Sequence, residues 1–306
     1  VGVAAQNLII DVYKIEASHE IYVYETWKKG RVYRVIGKYY GNESNSERHF
    51  NTEINHFLDF KRMGLDKGSH RIPRLLGYNQ NFNFVVVTEY IQGKSLGSII
   101  TDIVQKERKT ELYQALSEIA YFLYLLHSRS TKKINVNFNI EVSYFYDTIK
   151  RLKKTTPFSK KEEDYFHTLI RKWFDRLDMW EQPTVFVHGD CTPGNFIISN
   201  NPKLVVLDLE RCRRADPAFD TGRIAGELKH SLMRLTGSNY EAEPFIHYFY
   251  ESYCNHFKSN RLFREITKRN PFYQAVTELR IAKNKWLPFD YRFQLIEDAK
   301  KCLETG

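Results

Sequence analysis

Three side chains near the middle of this 306-residue chain could handle a proton and a cation: Asp190, Asn195 and Asp208. Asp190 closes the tripeptide His188-Gly189-Asp190, and Asn195 follows it after Cys191-Thr192-Pro193-Gly194. The flanking runs 184–187, 196–198 and 204–207 are short, apolar and β-branched with turn residues between them, which predicts three strands. Residues 199–203 have turn composition, so the second and third runs are expected to form a hairpin with Asn195 at one foot and Asp208 at the other. Both oxygen ligands would then face one site. Such a set suits phosphoryl transfer, in which the protein holds Mg²⁺ on phosphates and orients an acceptor hydroxyl. In that scheme Asp190 accepts or orients the acceptor proton, while Asn195 and Asp208 carry metal, because Mg²⁺ prefers a few carboxylate and amide oxygens beside water and phosphate.

The motifs HGDCTPGN, LDLE and DPAFD, over 188–195, 207–210 and 216–220, occur in the order that resembles the aminoglycoside phosphotransferase and choline kinase group, relatives of the protein kinases. The spacing of Asp190 and Asn195 also resembles the protein-kinase catalytic loop, with Gly189 where those enzymes usually have Arg. The resemblance implies an α+β, bilobal, protein-kinase-like fold: a small β-rich N-lobe with one helix and a larger, mostly helical C-lobe. It implies ATP, with GTP as the alternative, and Mg²⁺ as cofactors. Glu210 completes an Asp-x-Glu pair like the family's metal-binding motif, either touching a metal ion or supporting one that does. Asp216 is expected to cap a helix with Pro217 in its first turn, Asp220 to brace the catalytic loop, and His188 to buttress that loop through hydrogen bonds.

The elements that must position these groups follow. Residues 31–40, RVYRVIGKYY, alternate as a strand, placing Ile36 and Lys38 on one face. Lys38 resembles the strand lysine that holds nucleotide phosphates. Its carboxylate partner is expected on a following helix, with Glu53 preferred over Glu47 because Ile54, Phe57 and Leu58 set an apolar stripe beside it. Residues 84–93, FVVVTEYIQG, read as a buried strand running into a linker. By resemblance Thr88 backs the adenine pocket, and the backbone of Glu89 and Ile91 bonds the adenine edge. The lobe boundary is placed there, with 1–92 as nucleotide-binding lobe and hinge and 93–306 as catalytic and substrate-binding lobe. No glycine-rich loop occurs over residues 15–30, which departs from the kinase pattern; Ser18 is a candidate substitute contact.

Apolar residues at helical spacing predict helices over 111–127 and 160–180, both explained by core packing. At 42% hydrophobic the chain is ordinary for one globular unit of this size. No apolar run reaches the 18 or more residues of a membrane span, no signal peptide is expected before the first strand, and Val1 in place of Met suggests trimming. Four scattered cysteines, 191, 212, 254 and 302, lack metal-ligand spacing and suit a reducing compartment, so the protein is expected in the cytoplasm.

The net charge of +9 and pI of 9.2 raise nucleic acid or an anionic membrane as partner, but the basic residues are dispersed and match no nucleic-acid module, so nucleic acid is not expected. Residues 258–301 hold 11 Lys and Arg against 5 Asp and Glu, which disfavours a cationic aminoglycoside and suits an anionic substrate such as a phosphorylated or carboxylated sugar. Glu227, Glu241, Glu243 and Glu251 could instead line an acidic pocket for an amine, and the aromatics of 245–257 could stack on a sugar or cage a quaternary amine; solvated and packed helix faces are the plainer readings. The expected activity is therefore transfer of the ATP γ-phosphate to a hydroxyl of a small molecule. A catalytically silent nucleotide-binding module, or a kinase acting on protein, are the alternatives.

Overall fold

A computed structural model describes residues 9–16, 19–41, 43–106 and 108–305; Ser18 lies outside them. Among the described residues the strands and helices run, in chain order, β1 (Ile10–Ile15), β2 (Glu20–Lys28), β3 (Arg31–Tyr39), α1 (Ser46–Arg62), β4 (His70–Arg71), β5 (Leu75–Asn79), β6 (Val85–Glu89), β7 (Lys94–Ser95), α2 (Leu96–Lys106), α3 (Lys109–Ser130), β8 (Lys132–Asn135), α4 (Phe138–Lys153), α5 (Lys160–Phe174), β9 (Pro183–Val187), β10 (Phe196–Ile198), β11 (Leu204–Val206), β12 (Arg213–Ala215), α6 (Ala218–Thr236), α7 (Glu243–His256), α8 (Asn260–Ala282) and α9 (Phe289–Glu304). The chain divides into two compact units: residues 1–93 with 199–210, and residues 94–198 with 211–306.

In the first unit the sheet order is β1-β2-β3-β6-β5, all neighbours antiparallel. β3 is central, with Lys38 opposite Ile21 on β2 and Val86 on β6. Helix α1 buries Phe50, Ile54, Phe57 and Phe60. Leu58, expected in that stripe, is 41% exposed, because its position turns away from the Phe50–Ile54–Phe57 face. The excursion 199–210 brings β11 parallel to β4, pairing Leu204 with His70 and Val205 with Arg71. Leu204, Val205 and Val206 are fully buried there, as their unbroken apolar run requires.

The second unit is built on helices. A core of Phe138, Phe145, Phe166, Trp173, Val187, Phe272 and Leu295 is closed over the three-stranded sheet β12-β9-β8. Helix α5 opens on a capping box, Ser159 with Glu162. It stops at Phe174, short of the expected 180: Arg176 turns back over the Trp173 ring at 4.3 Å and pairs with Asp178, leaving Leu177 exposed. Helices α6 and α8 meet at Gly222, where a Cβ would lie 2.4 Å from Cβ of Tyr273, so only glycine permits that approach. No helix among the described residues is long and apolar enough to cross a membrane.

Candidate active site

Lys38 is the focus of the first unit's polar chemistry. Burial acts to lower its ammonium, but Glu53, Asp208 and Glu210 outweigh that and hold it above its ordinary value. Its Nζ stands 2.9 Å from Glu53, 2.8 Å from Asp208 and 3.3 Å from Glu210. Glu53 comes from the buried side of α1, whereas Glu47 is exposed. Burial pushes the Glu53 carboxyl up, and Lys38, shared among three carboxylates, only partly offsets this. Glu210 is held down at about 2, first by a hydrogen bond from His19 at 2.6 Å, against burial, and with help from Lys38. Nothing in the sequence pattern singles out His19 beyond its place ahead of β2, where a glycine-rich loop would otherwise run.

Asp208 adopts φ +61, a left-handed conformation that Asp tolerates better than most residues. The next residue is pinned, since His56 on α1 donates to the Leu209 carbonyl at 2.6 Å. Thr88 lies on β6 opposite Ile36, and Ile91 follows in the irregular segment after that strand. The Glu89 carboxylate is committed to Arg71 and Arg74, and its amide donates to the Arg74 carbonyl at 3.1 Å.

Asp190, Asn195, His188 and Asp220 belong to the second unit. Strand β9 delivers His188 fully buried, and the chain then reverses at Gly189 with φ +81. A Cβ at Gly189 would sit 2.2 Å from the Arg211 carbonyl oxygen, so the position that carries Arg in protein kinases admits no side chain here. Asp220, fully buried, accepts from the backbone amides of His188 (2.7 Å) and Gly189 (2.9 Å) and faces His127 at 3.2 Å. Burial pushes the Asp220 carboxyl up, yet His127, His188 and the Gly189 amide together hold it below its ordinary value. Asp220 thus clamps the loop, as its place in the DPAFD run leads one to expect, and the Asp190 amide rests on His188 Nδ1 at 3.4 Å. Helix α6 starts at Ala218 with Pro217 at its N-cap position, one residue later than expected; Asp216, just ahead, accepts from the Ala218 amide at 2.8 Å and is paired with the buried Arg269.

One oxygen of Asp190, Oδ1, is buried with no hydrogen-bond partner, and the other lies 3.6 Å from Arg211 Nε. A buried carboxylate oxygen without a donor is costly unless something supplies one. The Asn195 amide nitrogen donates to the Asp190 carbonyl at 2.9 Å, which turns its oxygen to the opposite side as the atom able to bind a cation. Cys191, beside Asp190, is buried, and burial pushes its thiol well up, making it a passive thiol. The acidic residues considered for an amine pocket are dispersed: Glu227 pairs with Arg280, Glu243 with Lys229 and Glu251 with His247, while Glu241 is exposed. Phe245, Phe249, Tyr250 and Tyr253 are packed in the core face of α7.

The residues fit a divalent cation. One ammonium in the first unit faces three carboxylates, an excess of negative charge that a divalent cation would balance. Asp208 keeps 26% of its side chain exposed, as a ligand-binding carboxylate must. Among the described residues no closed cage of three or more His, Cys, Asp or Glu forms, so such an ion would complete its shell with water and phosphate oxygens, the habit of Mg²⁺.

Comparison with known structures assigns the architecture: this is a protein-kinase-like α+β fold. Choline kinase from Cryptosporidium parvum Iowa II superposes with a TM-score of 0.62 at 13% identity, covering 99% of this chain and 90% of that one. Choline kinase LicA from Streptococcus pneumoniae gives 0.59 at 16% identity, covering 98% and 95%. Aminoglycoside phosphotransferase APH(2'')-Ib, with ADP bound, gives 0.60 at 13% identity, covering 97% and 93%. Residues 53–253 match the phosphotransferase enzyme family, APH, and the chain belongs to that family. No curated protein matches the sequence.

Proposed function

We propose that this chain is an ATP-dependent, Mg²⁺-requiring kinase that transfers the γ-phosphate to a hydroxyl of a small molecule. The observation that carries the reading is the convergence on Lys38 of Glu53, Asp208 and Glu210, drawn from stretches far apart in sequence, in a chain of the phosphotransferase family. In this reading residues 1–92 form the nucleotide-binding lobe, with Lys38 holding phosphate oxygens and Glu53 fixing Lys38. Thr88 and the backbone of Glu89 and Ile91 meet the base, and Asp208, Asn195 and Glu210 hold Mg²⁺, which when bound neutralises charge on the phosphates. Residues 93–306 supply Asp190 and the acceptor site. The ADP found with the aminoglycoside phosphotransferase supports nucleotide use, and the free cysteines among the described residues support the cytoplasm.

The acceptor oxygen attacks the γ-phosphorus, the bond from that phosphorus to the β–γ bridging oxygen breaks, ADP leaves, and the acceptor's proton passes to Asp190. Asp190 suits that task because its loop is clamped from behind by Asp220 and one of its oxygens has no donor. The test is nucleotide consumption with Mg²⁺, ATP against GTP, over a panel of amines, sugars, amino-alcohols, nucleosides and aminoglycosides. Asp190→Asn is expected to lower acceptor-dependent turnover by about 10³-fold or more while changing nucleotide affinity by less than about threefold. Unchanged turnover in that variant sinks the assignment. Nucleotide binding without turnover on every acceptor favours the silent module.

A further inference from the structure

The second unit holds a pair of arginines that its own fold leaves undersupplied. Arg223 and Glu227 stand one turn apart on α6, and Arg280 reaches them from the end of α8. Arg280 Nη2 bonds Oε1 of Glu227, a carboxylate whose charge Arg223 shares. Arg280 Nε and Arg223 Nη1 are both buried and have no hydrogen-bond partner, and Arg223 as a whole is only 3% exposed. Another carboxylate that Arg223 acts on, Glu141, is held by Arg213 in a two-point contact of 2.7 and 2.9 Å. A buried guanidinium N–H without an acceptor is unfavourable, so two together call for an oxyanion from outside the chain.

Further cations converge on the same place. Burial acts to raise the Tyr144 phenol, yet the charges of Arg223 and Arg280, a hydrogen bond from Arg223 and the charge of Lys283 hold it below its ordinary value, so Arg223 has an internal partner in Tyr144 while its Nη1 has none. Lys283, the residue that ends α8, feels Arg280, Arg151 and Arg211. From Lys283 a pocket of about 490 Å³ continues past Arg151, Lys154, Lys285 and Trp286 with no carboxylate in its lining. Asp190 is close enough to both Glu227 and Arg280 for its charge to be felt by each. Arg223, Arg280 and Lys283 all act on Tyr144, and Arg280 feels both Glu227 and Asp190: three cations beside two carboxylates, a surplus of positive charge next to the candidate base.

We propose that the acceptor is an anionic hydroxy compound whose phosphate or carboxylate is bound by Arg223 and Arg280, leaving its hydroxyl to Asp190. This rests on the phosphotransferase reading above and names the acceptor class for it. A cationic amino-alcohol would meet the same surplus as repulsion, whereas an oxyanion completes the orphan donors and is a planar match to a guanidinium.

Two measurements on the intact chain separate this claim from the one it rests on. The first is calorimetric binding, without nucleotide, of inorganic phosphate, glycerol 3-phosphate, glycerate, glycerol and ethanolamine; the second is transfer from MgATP to the hydroxylated members of that set. The expected result is saturable binding of the anions and not of glycerol or ethanolamine. Binding should weaken at least about tenfold in Arg223→Gln and Lys283→Gln, be partly kept in Arg223→Lys, and be unchanged in the exposed Arg261→Gln. Glycerol 3-phosphate against glycerate decides between phosphate and carboxylate. Should Arg223→Gln not fold, judged by its thermal transition, Lys283→Gln carries the test, since Lys283 is only partly buried. Transfer to glycerol or ethanolamine as fast as to the anions, or anion binding indifferent to Arg223 and Lys283, overturns the anionic acceptor and leaves the kinase standing. Anion binding that depends on Arg223 without transfer to any acceptor overturns the kinase reading and, with it, the acceptor role.

Discussion

Gly189 shows how a single missing side chain can set a loop. Its φ of +81 and the Arg211 carbonyl, 2.2 Å from where a Cβ would be, mean that Gly189→Ala must both strain the backbone and displace a neighbour. Urea unfolding should report a loss of about 2–4 kcal/mol, and a loss under about 0.5 kcal/mol would show the loop to be adaptable. A second residue-scale prediction concerns Glu278 on α8, buried with one oxygen lacking a partner. Burial raises its carboxyl from the ordinary 4.5 to about 8; Gln274 opposes by hydrogen bonding, Asp298 and Glu243 add to the rise, and Lys229 opposes it. Because the folded protein binds this proton more tightly than the unfolded chain, stability should fall as pH climbs from about 4.5 through about 8 and stay low above. Glu278→Gln should flatten that slope and at pH 9 exceed the parent by on the order of 3 kcal/mol in chemical denaturation; parallel curves for the two proteins would refute it. Much at this scale was readable in advance, because Asp190, Asn195, Asp208 and Asp220 sit in short motifs. His19, Arg211, Arg223 and Arg280 were not, since each gains its meaning from a partner distant in sequence and no local pattern marks it.

Elements were legible where periodicity was strong and burial one-sided. Strand β3 and helix α3 fall where alternation and the Leu112–Leu116–Ile119–Leu123 spacing put them, and the helix carrying Glu53 lies against the strand carrying Lys38 closely enough for the 2.9 Å pair. Helix α5 was overrun because Leu177 continues the apolar period, while a cation over Trp173 and a local Arg176–Asp178 pair end the helix instead. The left-handed turn at Asp208 was invisible, because its cause lies in Lys38 and His56 and not in neighbouring residues. At this scale the buried Asp216–Arg269 pair joins the start of α6 to α8, with both side chains within 1% of full burial. Arg269→Met leaves Asp216 charged and buried, which should cost about 3–5 kcal/mol. The double variant with Asp216→Asn should recover part of that loss, and strict additivity would show the two groups to be uncoupled.

For the whole molecule, the first compact unit takes back residues 199–210 after the chain has left it at Gly93, a return that the sequence did not show, since a twelve-residue excursion has no compositional signature. That return has a consequence for the order of synthesis. Strand β4 finds its parallel partner β11, His56 its carbonyl at Leu209, and Lys38 two of its three carboxylates only after residue 210 has been made, more than a hundred residues later than Gly93. A nascent chain that ends at Gly93 therefore carries an apolar sheet face, a lone buried ammonium with one counter-charge and an unpaired strand edge, and loop closure over that distance must come before any of them is relieved. A fragment of residues 1–93 should give an amide spectrum of low dispersion and exchange its β3 amides freely; addition of a peptide spanning 199–210 should restore part of the protection. A well-dispersed spectrum from the fragment alone would mean that the first unit is complete before its last segment emerges.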